Sequence, residues 1–151
     1  MKAVIQRVLE SSVSVDSQVV GSSGKGYMIL LGVVKGATEK HADLLARKTA
    51  ALRVFEDENG KMNLSVLDID GEILAISQFT LCADCKKGNR PSFTPSEEPE
   101  KAKALYDVFC EKLKEYGVRR VEKGVFGADM KVSLVNDGPV TIGFDTDIWS
   151  V

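Results

Sequence analysis

The longest apolar run in the chain, Tyr27 to Val34, has the length of a β-strand. It falls far short of the roughly 18 apolar residues that a membrane helix needs. A run of this kind calls for a sheet, and with none longer elsewhere a membrane-spanning helix is excluded. The opening Met1-Lys2-Ala3-Val4-Ile5-Gln6-Arg7 turns polar too soon for a signal peptide, so a cytoplasmic location is expected. The 151 residues favour one domain, 1–151, large enough to bury a core without staples. Twenty basic residues against 22 acidic ones give a net charge of −2, which excludes attachment to nucleic acid through bulk positive charge. A local basic patch stays open.

Periodicity and turn residues divide the chain. Met1–Leu9 reads as a strand, and Ser12–Val20 as a hairpin arm with Val13, Val15 and Val19 alternating with polar partners. Gly21–Gly26 reads as a flexible hairpin connection; it lacks the terminal Gly-Lys-Ser/Thr element of a phosphate loop. Thr38 is suited to cap a helix running to about Leu52, with Ala42, Leu45, Ala46, Thr49 and Leu52 buried and Asp43–Arg47 as an outer i,i+4 pair. Arg53–Phe55 is a short strand, Glu56–Gly60 a turn, and Ile73–Leu81 a long buried strand. Ala83–Pro95 is a polar loop. A second helix is expected over about Glu100–Tyr116, with Gly117 as its stop. Strands follow at Val118–Glu122, Met130–Val135 and Pro139–Phe144. The order β, β, β, α, β, β, α, β, β, β indicates one α/β domain, two helices covering a largely mixed sheet.

Cys82, Cys85 and Cys110 are an odd number in a chain without a secretion signal, which argues against a disulfide framework. A zinc site built on Cys82-Ala83-Asp84-Cys85 would need two more ligands, from Cys110 on a helix and the lone His41. A redox pair would belong at a helix N-terminus, whereas this one follows a strand and enters a polar loop. The plain reading is small residues in a turn. His41 falls near a helix start with no matching nucleophile or carboxylate, and reads as solvated.

Two segments depart from ordinary strand chemistry. Ser77-Gln78-Phe79-Thr80 places polar groups at the end of an apolar strand, where burial without partners costs free energy. They either cap a sheet edge or serve a site. Asn136-Asp137-Gly138-Pro139-Val140-Thr141 carries a proline that cannot donate to a ladder, so a turn, an edge or a bulge is expected. By turn chemistry alone it is a plain hairpin turn.

Together, Ser77-Gln78-Phe79-Thr80-Leu81 and Asn136-Asp137-Gly138-Pro139-Val140-Thr141 resemble the two signature motifs of the D-aminoacyl-tRNA deacylases, also called D-tyrosyl-tRNA deacylases. The resemblance extends to Ile5-Gln6-Arg7-Val8, Gly60-Lys61-Met62-Asn63-Leu64, Arg90-Pro91-Ser92-Phe93 and Phe126-Gly127-Ala128-Asp129-Met130, in order along nearly the whole chain. Departures are the Cys82/Cys85 pair and a tail, Asp145–Val151, that looks longer than usual.

The resemblance implies a small α/β homodimer of packed β-sheets with helices outside. It implies an esterase that removes a D-amino acid, or glycine, from the terminal ribose of tRNA, with no metal and no cofactor. Its partners would be D-aminoacyl-tRNA, glycyl-tRNA and a second copy of itself, with no membrane. The implied catalytic set is Ser77, Gln78, Phe79 and Thr80. The Gly138-Pro139 peptide bond would be cis and enter the partner subunit's site, its carbonyls holding the substrate ammonium while an L-side chain meets the main chain. Met130 would wall the pocket. Thr80 tempts as a nucleophile, but no general base is suggested. Family precedent instead gives the chemistry to the RNA 2′-OH and a water, with the Phe79 and Thr80 N–H groups and Gln78 at the oxyanion. The alternative is a non-catalytic tRNA 3′-end binding protein, gripping phosphates with Lys86, Lys87, Arg90, Arg119, Arg120 and Lys123.

Overall fold

A computed structural model describes residues 1–151. The chain runs β1 (Lys2–Val15), β2 (Gln18–Ser23), β3 (Gly26–Gly32), α1 (Glu39–Ala51), β4 (Arg53–Glu56), β5 (Met62–Ser65), β6 (Glu72–Ser77), α2 (Pro99–Glu115), β7 (Arg120–Lys123) and β8 (Lys131–Asp145). Two parallel pairs, β3–β6 and β6–β7, organise the rest. Parallel neighbours need a crossover connection, and α1 lies in the first and α2 in the second. The other pairs are antiparallel, giving a mixed six-stranded sheet ordered β2-β1-β3-β6-β7, with β8 on β1. β4 and β5 form a separate hairpin. The α/β domain expected from the sequence thus takes the form of one large sheet, one small hairpin and two helices. No helix is long and apolar enough to cross a membrane.

The period of two along β3 sends Tyr27, Ile29 and Leu31 into the main core, with Ala42 and Leu45 of α1 and Phe109 and Leu113 of α2. Met28 goes to the other face, with Val8, Val13, Leu74 and Ile76. Both faces of β3 are covered, which is why its sequence is apolar without alternation. Helix α1 starts where expected, and His41 helps to start it. The Thr38 N–H donates to His41 Nδ1 at 3.0 Å while the His41 N–H donates to the Thr38 carbonyl at 3.0 Å. The histidine is therefore a capping group rather than a free solvated one. The expected Asp43–Arg47 pair does not form: Asp43 accepts from the Tyr116 hydroxyl at 2.7 Å and sits 3.9 Å from Lys112 Nζ, tying α1 to the end of α2.

Four boundaries differ from expectation. β1 continues through Ser11–Val15, and the hairpin turn falls at Asp16–Ser17, both at positive φ (49° and 64°). Gly21–Ser23 belong to β2, so the expected six-residue connection contracts to Gly24-Lys25. β5 was not anticipated; it pairs with β4 across the Glu56–Gly60 region. β6 ends at Ser77, not Leu81. Its last ladder bond is the Gln78 N–H to the Leu31 carbonyl, 2.8 Å, after which Phe79–Cys82 make one turn of 3-10 helix. That turn lies against Gly32, where a Cβ would stand 3.0–3.1 Å from Leu81 Cβ, Cys82 Sγ and the Gln78 carbonyl oxygen. A side chain at residue 32 would push the turn away.

The largest correction is at the C-terminal end. Asn136–Thr141 does not reverse the chain, and both expected strands are parts of β8. Pairing to β1 runs through Gln6↔Thr141 and resumes at Val8↔Asn136. Asp137 to Val140 thus bulge out opposite Arg7, satisfying a proline that has no N–H to give.

Candidate active site

The end of β6 and the turn after it form a wall between two adjoining cavities of about 280 and 240 Å³. Ser77, Gln78, Phe79, Phe126 and Gly127 line both. The larger is closed by Leu31, Val33, Tyr106 and Ala102, and the smaller reaches Asp129 and Met130. Tyr106 is held in the wall by its hydroxyl, which donates to the Ala75 carbonyl at 2.7 Å, and burial pushes its ionisation far above the usual phenol range. At the mouth, Phe79 is 58% exposed and Phe93 stands edge-on against it at 5.1 Å.

Thr80 is exposed, and its hydroxyl has one partner, the Gln78 side-chain amide, which donates to it. An amide cannot take a proton from a hydroxyl. The sole histidine is engaged at the start of α1, so Thr80 lacks a general base. Bonding within the 3-10 turn begins with the Leu81 N–H donating to the Gln78 carbonyl at 3.2 Å. The Phe79 and Thr80 N–H groups come before that first bond, as the leading donors of any helical turn do. The cysteines are all free. Burial raises the Cys82 thiol and pushes Cys110 up to about 12, so neither is a thiolate near neutral pH. No three His, Cys, Asp or Glu side chains come together as a metal cluster.

Gly138 and Pro139 form the exposed tip of the β8 bulge, joined by a cis peptide bond. The bulge is held from beneath. Arg7, 7% exposed, donates from Nε to the Asp137 carbonyl at 3.0 Å and from Nη1 to the Val54 carbonyl at 2.7 Å, with the Asp137 carboxylate at 3.6 Å. Asn136 donates through its side-chain amide to Gln6 and accepts from the Val140 N–H at 3.2 Å. Thr141 donates to the same Gln6 oxygen at 3.1 Å. A buried guanidinium requires such partners, and here they anchor the tip.

Of the residues singled out in the sequence, Ser77, Gln78, Phe79 and Met130 meet around the smaller cavity, and Thr80, next in the turn, lines neither cavity. Gly138 and Pro139 line neither cavity; within one chain the two signature motifs are apart. Sequence reasoning missed Tyr106 in the cavity wall, and it named Phe93 only within the Arg90-Pro91-Ser92-Phe93 motif. It also gave Arg7 no role, although this charge falls between apolar residues of one strand and is buried there.

Known proteins resemble this chain in sequence and in fold. The family described as D-Tyr-tRNA(Tyr) deacylase matches residues 4–145. A D-aminoacyl-tRNA deacylase of Persephonella marina is 62% identical over 146 residues, 97% of this chain and 98% of that one. One of Geotalea uraniireducens is 58% identical, covering 97% and 94%. Among solved structures, a c-Myc DNA unwinding element binding protein superposes with a TM-score of 0.90 at 44% identity, covering 96% of this chain and 98% of that one. A probable eukaryotic D-amino acid tRNA deacylase, 18% identical, shares the fold with a TM-score of 0.81 over 95% and 97%. With a family match that spans nearly all of the sheet, both cavities and the β8 bulge, the chain belongs to the D-Tyr-tRNA(Tyr) deacylase family.

Proposed function

We propose that the chain hydrolyses the ester between a D-amino acid, or glycine, and the terminal ribose of tRNA, removing wrongly charged residues before translation uses them. The observation that carries this reading is the shared lining of two adjoining cavities by Ser77–Phe79, each cavity of a size for one arm of an aminoacyl-nucleoside. The aromatic lining of the larger, Tyr106 and Phe126, suits a stacked base. The terminal ribose and ester then lie along Ser77–Thr80, with the Phe79 and Thr80 N–H groups and Gln78 facing the developing oxyanion. One such donor is worth about 2.7–4 kcal/mol. The attacking water is activated by the RNA 2′-OH. Release of amino acid from D-aminoacyl-tRNA but not from its L-counterpart tests the reading.

Chirality is assigned to Gly138 and Pro139 acting in the partner subunit's site. Two features support a homodimer. The tip is exposed and lies outside its own chain's cavities. The 15-residue β8 is paired only to β1 and has no buried residue, with Val135 45% exposed. A long edge strand of this kind needs cover, and a second copy supplies it by two-fold symmetry. The Gly138 and Pro139 main chain then holds the substrate ammonium and leaves no room for an L-side chain, while a D-side chain points away.

Thr80→Ala is expected to lower the activity by no more than about tenfold, since the lost hydroxyl only orients Gln78 and the ribose. Single-turnover hydrolysis measures this. A loss of several orders of magnitude, or a trapped acyl-enzyme on the wild type, would contradict it.

The non-catalytic alternative draws less support. Of its six basic groups, Arg119 pairs with Asp70, Arg120 with Glu72 and Glu122, and Lys123 with Asp107.

A further inference from the structure

Both cavities together accommodate little more than an aminoacylated nucleoside, so nearly all of a tRNA must lie outside them. The protein carries a net charge of −2 and would repel a polyanion unless cations gather where the strand leaves the site. One segment meets that need. The loop Ala83–Pro95 has three cationic side chains, Lys86, Lys87 and Arg90, and one acidic one, Asp84, for a net of +2. All three cations are exposed, and none has an ion pair or a side-chain hydrogen bond, in contrast to Arg119, Arg120 and Lys123.

The loop is also fixed to the site at both ends. It leaves directly from the Phe79–Cys82 turn, and it returns through Phe93, whose ring rests on Phe79. Its neck is closed by Asp84 and Ser92, each N–H donating to the other's carbonyl at 2.7 and 2.9 Å. The Asp84 carboxylate is engaged within the loop, accepting from the Lys86 N–H at 2.9 Å. Beyond Phe93, the Pro95 carbonyl accepts from the Lys35 N–H at 2.9 Å. The charges therefore stand on a braced arm beside the cavity mouth.

Resting on the function proposed above, we infer that this loop is the phosphate-binding arm of the enzyme. Lys86, Lys87 and Arg90 contact the backbone of the acceptor end of tRNA, next to the terminal nucleoside held in the cavities. Phosphate contacts of this kind set position and affinity and carry no sequence information, which suits an enzyme that must accept many tRNAs.

The test compares the wild type with a K86Q/K87Q/R90Q variant on two substrates: D-alanyl-tRNA, and the D-alanyl ester of adenosine, which has no phosphates. The variant is expected to raise KM for D-alanyl-tRNA by tenfold or more with kcat little changed. Each phosphate contact contributes about 0.7–0.9 to the slope of log affinity against log salt, so the slope should fall by about two to three. Hydrolysis of the adenosine ester should be unchanged, and K86R/K87R/R90K should restore binding of the tRNA. Unchanged KM and salt slope on tRNA would overturn the proposal. So would an equal loss on both substrates, which would make the loop a brace for the cavity only. A wild type that hydrolyses neither substrate would overturn the functional reading itself, and the arm with it; that outcome differs from the other two because it appears before any substitution.

Discussion

Gly138→Ala is expected to lower kcat/KM for D-aminoacyl-tRNA by about 10²-fold or more without unfolding the protein, since placement errors near 1 Å have that cost. Gly138 sits at φ 130°, a conformation L-residues rarely adopt. A Cβ there would stand 2.9 Å from Val140 Cγ2 and 3.1 Å from both Arg7 Nη2 and the Val140 nitrogen. Arg7 cannot give way freely, because its Nε and Nη1 are committed to the Asp137 and Val54 carbonyls. The tip itself must shift, and with it the main chain that the proposed function offers to the substrate. L-substrates should gain little, because a displaced wall is not an L-shaped pocket. The tip is exposed, so global stability should change far less than activity. Kinetics on matched D- and L-substrates beside a denaturation curve separate the two effects. Near-normal D-turnover in the variant, or a dilute monomer with full activity, would remove the tip from the partner's site.

A substrate whose terminal ribose carries 2′-H is expected to bind nearly as well as the normal one and react about 10²–10⁴-fold more slowly, the usual range for a lost proton-transfer partner. The engagement of the candidate protein groups explains why. Thr80 is bonded to an amide, His41 to Thr38, and the Cys82 thiol is held protonated, so none of these three is an activated nucleophile. Binding should survive because base stacking and phosphate contacts supply most of the grip on an RNA end. Single-turnover rates at saturating enzyme isolate the chemical step from affinity. Unchanged turnover would transfer the chemistry from the RNA to the protein and return Thr80 to consideration as nucleophile.

Both helices were legible in the sequence because their signals are local: a cap at Thr38, a stop at Gly117 and an apolar stripe between. The strands were less so wherever a distant partner decides the outcome. Asn136-Asp137-Gly138-Pro139 has the composition of a hairpin turn, yet β8 passes straight through it. What overrides turn chemistry is Arg7 and Gln6, some 130 positions away, which bond the bulge from the neighbouring strand. The end of β6 was misread for a similar reason. Ile73 to Leu81 looks like one strand, but β3 offers its last carbonyl at Leu31, and Gly32 leaves room for a helical turn. Asp16–Ser17 hid its turn by lacking glycine while Val13 and Val15 kept the alternation going. Ser77–Phe79 and Met130, which line the smaller cavity, stood out through their motifs. Tyr106 did not, since a helix core position carries no mark of the cavity it borders.

The most direct measurement is the rate of amino-acid release from D-alanyl-tRNA and L-alanyl-tRNA, under identical single-turnover conditions and with a metal chelator present. The expected result is rapid hydrolysis of the D-form, unaffected by chelator, and release from the L-form at its spontaneous rate. Equal rates on both forms, or binding without turnover of either, would contradict the account.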